Sequence, residues 1–222
     1  MKAKILFCSD LHCDLKYTFE IVSSAKNNRV DIIAICGDIT NFGTQREIDL
    51  MLPNLDCGID VVFIGGNHDQ DMSSTKFRKK VNKLPNFHYL QNEYLELKGV
   101  KFYGMPHSLR FRNWWFMCDE KDFLDYLPNE SVDIIIAHQP PSHPNLSMCD
   151  NAFGQCDIGS TEVLKYLENT DTKYYFCGHN HEQGGNYAKI GNCEVYNVAR
   201  SIKIVEIDIE KLKYEKLNKA RD

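Results

Sequence analysis

Several things that the 222-residue chain lacks narrow its class. No apolar run approaches the ~20 residues a membrane-spanning helix requires. The opening Met1-Lys2-Ala3-Lys4-Ile5-Leu6-Phe7-Cys8 is too short an apolar stretch for a secretory leader before Asp10 and His12 arrive. There is no internal repeat, and no segment is polar or repetitive enough for long disorder. Positive charge is not in surplus: 26 Lys and Arg stand against 31 Asp and Glu, a formal net charge of −5. Overall attraction to nucleic acid or to anionic membranes is therefore not expected, and any phosphate binding must be local. A four-cysteine spacing of the structural-zinc kind is also missing. Nine cysteines are present, but the number is odd, and Cys8, Cys36 and Cys177 sit at the ends of apolar runs as buried free thiols do. A reducing, cytoplasmic setting is expected.

What is present is an alternation of buried strands and amphipathic helices, with 43% hydrophobic residues. The pattern predicts strands over Lys4 to Cys8, Asp31 to Cys36 and Val61 to Ile64, with helices over Lys16 to Asn27 and Gln45 to Met51. Phe87 to Leu90, Tyr94 to Leu97 and Lys101 to Tyr103 read as hairpins. Further strands are expected over Val132 to Ala137 and Tyr174 to Cys177, with a helix capped by Ser160 or Thr161 running to Glu168. Asn186 to Ile190, Glu194 to Asn197 and Ile202 to Ile209 alternate in the antiparallel manner. The expectation is one α/β domain over residues 1–222 with two sheets, one mostly parallel and one mixed.

Short polar motifs follow the predicted strands: Asp10 and His12, Asp38, Asn67 with His68 and Asp69, His138, then His179 and His181. Loops at the carboxyl ends of strands gather in open α/β sheets, so these residues should converge. Carboxylate, imidazole and amide oxygen together suit divalent Mn, Fe, Zn, Co or Ni rather than Mg or Ca. Singly, His12 reads as a surface histidine and Asp10 as a helix cap; in combination the metal reading prevails.

The motifs Ser9-Asp10-Leu11-His12, Gly37-Asp38, Gly66-Asn67-His68-Asp69, Ala137-His138 and Gly178-His179-Asn180-His181 make the chain resemble the calcineurin-like metallophosphoesterases, whose pattern is D-x-H, G-D, G-N-H-D/E, H and G-H-x-H. His138-Gln139-Pro140-Pro141 with the later Gly159-Ser160 is similar to the small H-x-P-P branch. The resemblance implies a four-layer α/β/β/α sandwich of two mixed β-sheets flanked by helices. It also implies that Asp10, His12 and His181 hold one metal ion, that Asn67, His138 and His179 hold a second, and that Asp38 bridges them. Ions ~3.5–4 Å apart would share an activated water and clamp a phosphoryl oxygen. His68 would protonate the leaving oxygen, with Asp69 accepting its second ring N–H.

On the substrate side, Met105 to Trp115 is rich in phosphate-binding and stacking groups, with His107 and Arg110 as the best candidates, although such a loop can equally pack its indoles against the body. Asn41 reads as an Asx turn or a substrate contact. His88 and His143 read as structural or solvated, Cys13 as a reduced packing thiol or a residue that alters access to the first metal or makes the site oxidisable, and Cys149 and Cys156 flank a polar loop where a redox or metal role is an alternative to packing. Asn197-Val198-Ala199-Arg200 stands where relatives carry Asn-Pro-Gly, with no assigned ligand expected to depend on it. The functional expectation is a phosphoesterase that prefers diesters. A phosphomonoesterase or phosphoprotein phosphatase and, from another class, a non-catalytic protein-binding scaffold are the alternatives. The partner is a phosphate-ester substrate, with no membrane and with nucleic acid disfavoured.

Overall fold

A computed structural model describes residues 2–151, 154–212 and 214. Strand β1 (Lys2–Cys8), helix α1 (Leu15–Asn27), strand β2 (Ile32–Ile35), helix α2 (Gln45–Leu55), strand β3 (Asp60–Phe63), helix α3 (Thr75–Val81) and strand β4 (Phe87–Tyr89) alternate through the first part of the chain. The helices begin where a side-chain oxygen takes up a free amide. Asp14 accepts from Tyr17 at the start of α1, Thr44 and Glu47 form a capping box on α2, and Ser74 caps α3. β1 to β4 lie parallel in one five-stranded sheet, in the order β15-β1-β2-β3-β4, and β15 (Lys203–Asp208) closes its edge antiparallel to β1.

The remaining elements are β5 (Glu93–Leu97), β6 (Val100–Met105), the two-residue strands β7 (Ser108–Leu109) and β8 (Met117–Cys118), α4 (Phe123–Tyr126), β9 (Ile134–Ala137), β10 (Met148–Asn151), β11 (Gly154–Asp157), α5 (Thr161–Asn169), β12 (Tyr174–Cys177), β13 (Tyr187–Ile190) and β14 (Cys193–Asn197). Six of these strands make a second sheet, ordered β13-β14-β12-β9-β6-β5, with a parallel centre and an antiparallel strand at each edge.

Period-two alternation divides the apolar residues between layers. Ile5, Phe7, Ile32, Ala34 and Val62 face Phe102, Ile134, Ile136 and Phe176 of the other sheet. The rings of Phe7 and Phe176 stack there, 3.4 Å apart and 4° from parallel. Leu6, Ile33, Ile35, Val61 and Phe63 face the opposite way, onto Ile21, Ile48, Met51, Leu52 and Phe77 of α1, α2 and α3. Ile135, Tyr175 and Val195 pack on Phe123, Val163 and Leu167 of α4 and α5. The result is the expected helix, sheet, sheet, helix layering, with both sheets mixed.

Three local expectations are corrected. Phe87 to Leu90 does not form a hairpin: β4 lies parallel to β3, with Val61 opposite Phe87, because α3 supplies the crossover that a parallel pair requires. α2 continues past Met51 to Leu55 despite Pro53, since burial of Leu52 and Leu55 outweighs the one amide that proline withholds. The C-terminal strands do not form one antiparallel set. β13 and β14 pair antiparallel, β14 runs parallel to β12, and β15 joins the other sheet.

Candidate metal centre

The parallel strands β1, β2, β3, β9 and β12 lead into loops that meet between the two sheets. Backbone bonds tie these loops together: Asp10 N–H donates to the Gly37 carbonyl and Gly178 N–H to the His138 carbonyl, at 3.0 and 3.2 Å. Asp10, His12, Asp38 and His179 all take positive φ, between 47 and 69°. That region is unfavourable for side chains other than glycine, and its concentration in ligand-type residues marks a functional cluster. The approach is close enough to require glycine at two positions. A Cβ on Gly66 would lie 2.3 Å from Asp38 Oδ1, and one on Gly178 would lie 2.4 Å from Asp10 Oδ2.

Asp10, His12, Asp38, Asn67, His138, His179 and His181 come together at this point. His181 Nε2 lies 3.1 Å from Asp10 Oδ1 and 3.3 Å from His12 Nε2. Asp38 Oδ2 lies 3.3 Å from His138 Nε2 and 3.7 Å from His12 Nε2, so its carboxylate stands between the two groups of histidines. His138 Nε2 lies 2.9 Å from Asn67 Oδ1. His179 completes the group through its ring, 5.0 Å from that of His138, and its backbone N–H, which donates to Asp10 Oδ2. Ligand atoms around one ion at bonds of about 2.1 Å are roughly 3.0–3.4 Å apart, the separation seen between several of these pairs. Asp10 with His12 and His181, and Asp10 with Asp38 and His138, each present ligand atoms within 4.8 Å of one another. The donors therefore fit divalent cations in both geometry and type.

Electrostatics agree with that fit. Burial alone would raise the Asp38 carboxyl, but the charges of His138, His12 and His68 hold it well below the usual carboxylate range. Burial opposes charge on His138, yet Asp38 and Asp10 outweigh it and lift its pKa to about 9. His179 is driven the other way, to about 4, by burial and by the charge of His138. A cation binding His138 has to displace its proton. The Nδ1–H of His138 donates to the Cys36 carbonyl at 2.9 Å, which directs Nε2 at Asn67 and Asp38.

His68 sits beside this group, with its backbone N–H donating to Asp38 Oδ1 at 2.8 Å. Its ring partner differs from the one expected. His68 Nδ1–H donates to the Asn41 carbonyl at 2.6 Å, not to Asp69. Both oxygens of Asp69 are taken up by the amides of Ile39, Thr40 and Gly66 and by the Thr40 hydroxyl. Asp69 thus fastens the Asp38 loop to the Asn67 loop, and burial together with the Asp38 charge raises its carboxyl to about 6.

The two substrate-side candidates differ in setting: one is buried and the other lies in an exposed ion pair. His107 is buried, its ring stacked on Tyr126 at 3.7 Å. The Arg110 guanidinium pairs with Asp119 at 2.9 Å. Their loop does reach the centre through other residues: the Trp114 ring lies 4.2 Å from that of His68, Phe111 lies 5.7 Å from His179, and Trp115 N–H donates to the Asn67 carbonyl. Arg200 also corrects an expectation, because its guanidinium donates to the Asp10 and Leu11 carbonyls and pairs with Asp14, bracing the first ligand loop. His88 pairs with Asp60, and Cys13 is a thiol that burial raises to about 11. The contact of the Asn41 carbonyl with His68 was not legible in the sequence, since any residue supplies a carbonyl. Trp114 carried a signal only as one of two adjacent indoles.

Known proteins are similar to this chain in sequence or in fold. A UPF0046 protein of Caenorhabditis elegans is 27% identical over 206 residues, covering 75% of this chain and 51% of that one, so the match spans about half the relative's length. A crystal structure of a Thermus thermophilus protein superimposes with a TM-score of 0.66 at 14% identity, over 94% of this chain and all of that one. A dimetal phosphatase from Danio rerio gives 0.56 at 15% identity over 89% and 88%, and an archaeal phosphodiesterase 0.52 at 16% over 94% of each. The family model of the calcineurin-like phosphoesterases matches residues 3–183, and the chain belongs to that family.

Proposed function

We propose that the protein is a dinuclear metal-dependent hydrolase of phosphate esters, with diesters preferred. The reading rests on Asp38, whose one carboxylate lies within 3.7 Å of histidines from two groups. In it, Asp10, His12 and His181 would hold one divalent ion and Asn67, His138 and His179 the other, with the Asp38 carboxylate within reach of both sets. Such a pair supplies an activated water and neutralises the phosphoryl group. The protein's own part is to orient and to move a proton. Asn41 fixes His68 with Nδ1 protonated, leaving Nε2 to protonate a departing alkoxide, and Trp114 limits the tilt of that ring. Monoesters and diesters both release an alkoxide that such an acid can protonate, and assays on the two ester types separate them. Mn, Fe, Zn, Co and Ni all suit the nitrogen and oxygen donors. The five buried thiols, Cys8, Cys36, Cys118, Cys177 and Cys193, fit a cytoplasmic setting.

Metal analysis joined to two assays tests the reading. Two ions per chain are expected, with Mn-loaded protein cleaving bis-p-nitrophenyl phosphate faster than p-nitrophenyl phosphate and Asp38→Asn inactive on both. Faster monoester cleavage would make the protein a phosphatase. Far fewer than two ions, with no turnover after Mn addition, would point to a binding scaffold.

A further inference from the structure

The hairpin of β10 and β11 carries two cysteines in direct register, Cys149 opposite Cys156, with their sulfurs 3.0 Å apart and both partly buried. Directly opposed residues of an antiparallel pair have Cα atoms roughly 4.5–5.5 Å apart, inside the window a disulfide requires. The same hairpin is docked on the loop that carries His179 and His181. Its Met148 carbonyl accepts from the side chains of Asn180 and Gln183, and its Asp150 N–H donates to Glu182. We propose that Cys149 and Cys156 form a reversible oxidation site, whose closure to a cross-strand disulfide stiffens the hairpin against the His179–His181 loop.

The oxidant is a peroxide. One thiol attacks the peroxide O–O bond, giving a sulfenic acid and water, and the second thiol then displaces that hydroxyl as a second water. Two S–H bonds and the O–O bond break, one S–S bond forms, and the two electrons pass from the sulfurs to the peroxide. Burial and the neighbouring Cys156 raise the Cys149 thiol to about 12, so closure is slow and driven by oxidant, unlike a low-pKa exchange catalyst. Five of the other seven cysteines are buried, which restricts competing attack.

Chelator-treated full-length protein, reduced and then exposed to hydrogen peroxide, tests the site without reference to hydrolysis. After blocking with N-ethylmaleimide, chymotryptic cleavage after Phe153 separates the two cysteines unless a disulfide joins them. The expected result is a linked peptide pair, two hydrogens lighter than the sum of its parts and released by dithiothreitol. Amide exchange over residues 179–184 is expected to slow at least twofold on oxidation, but not in Cys149→Ser or Cys156→Ser. Both cysteines labelled after peroxide, overoxidation without linkage, or linkage with unchanged exchange would each overturn the proposal. The outcome is independent of whether the protein turns over phosphate esters.

Discussion

At the scale of the residue, His68 and His107 show how environment assigns different roles to one side chain. His68 is held by one carbonyl and one indole face beside, but not within, the expected ligand set. His68→Ala should therefore lower kcat on a diester by ~10²–10⁴ and leave metal content intact, since a positioned general acid contributes about that factor. Loss of metal together with rate would remove it from the acid's role. His107, stacked on Tyr126, has its pKa lowered to about 4 by burial. It stays neutral when folded and takes up a proton near 6.5 when unfolded, so its contribution is complete above 6.5 and is lost as pH falls towards 4. The full span amounts to ~3 kcal/mol. His107→Phe, which keeps the stack, should equal the parent in urea unfolding at pH 7.5 within about 1 kcal/mol and exceed it at pH 4.5. A parallel acid decline in both would show that His107 does not titrate there. The motif histidines were legible because their chemistry lies in the side chain. The surroundings that distinguish His107 were not, because Tyr126 lies nineteen residues away on another element.

At the scale of the element, the site is a meeting of strand ends, and what fastens those ends is a buried carboxylate. Asp69 accepts four hydrogen bonds from Ile39, Thr40 and Gly66, joining the loop after β2 to the loop after β3. Asp69→Ala would strand those buried donors at about 1–3 kcal/mol each, non-additively. A net loss of ~3–5 kcal/mol in denaturant melts is expected, with metal binding weakened at least about tenfold because Asp38 and Asn67 ride on the freed loops. Unchanged metal binding would mean the loops hold their shape without it. Most strands were readable from their apolar runs, as was α5 from Ser160. The seven-residue α3 was not, since Lys79, Lys80 and Arg78 obscure its two buried residues, Phe77 and Val81. With the crossover missed, β4 read as part of a hairpin, and the parallel pairing of β14 with β12 was hidden because a pairing partner distant in sequence leaves no local signal.

At the scale of the whole molecule, the proposed ligands divide between the two sheets: Asp10, His12, Asp38 and Asn67 follow strands of one, and His138, His179 and His181 follow strands of the other. Cations held by both sets, as proposed, would cross-link the layers that Phe7 and Phe176 also join by packing. The two contributions can be separated. A ligand that binds only the folded state adds ~2.7 kcal/mol at a concentration of 100 Kd, which for a chain of this size raises Tm by roughly 5–11 °C. Saturating Mn against a chelator should produce that rise in the parent protein. Phe176→Ala should lower both melting points through a lost core contact of ~3–5 kcal/mol while keeping the increment between them. Asp38→Asn should lower the chelated melting point, because it removes the carboxylate that pairs with the buried His138, and should also lose most of the increment. An Mn increment that survives Asp38→Asn would place cation binding outside the junction of the sheets, and one that disappears in Phe176→Ala would make metal affinity a product of core packing instead of the converging loops.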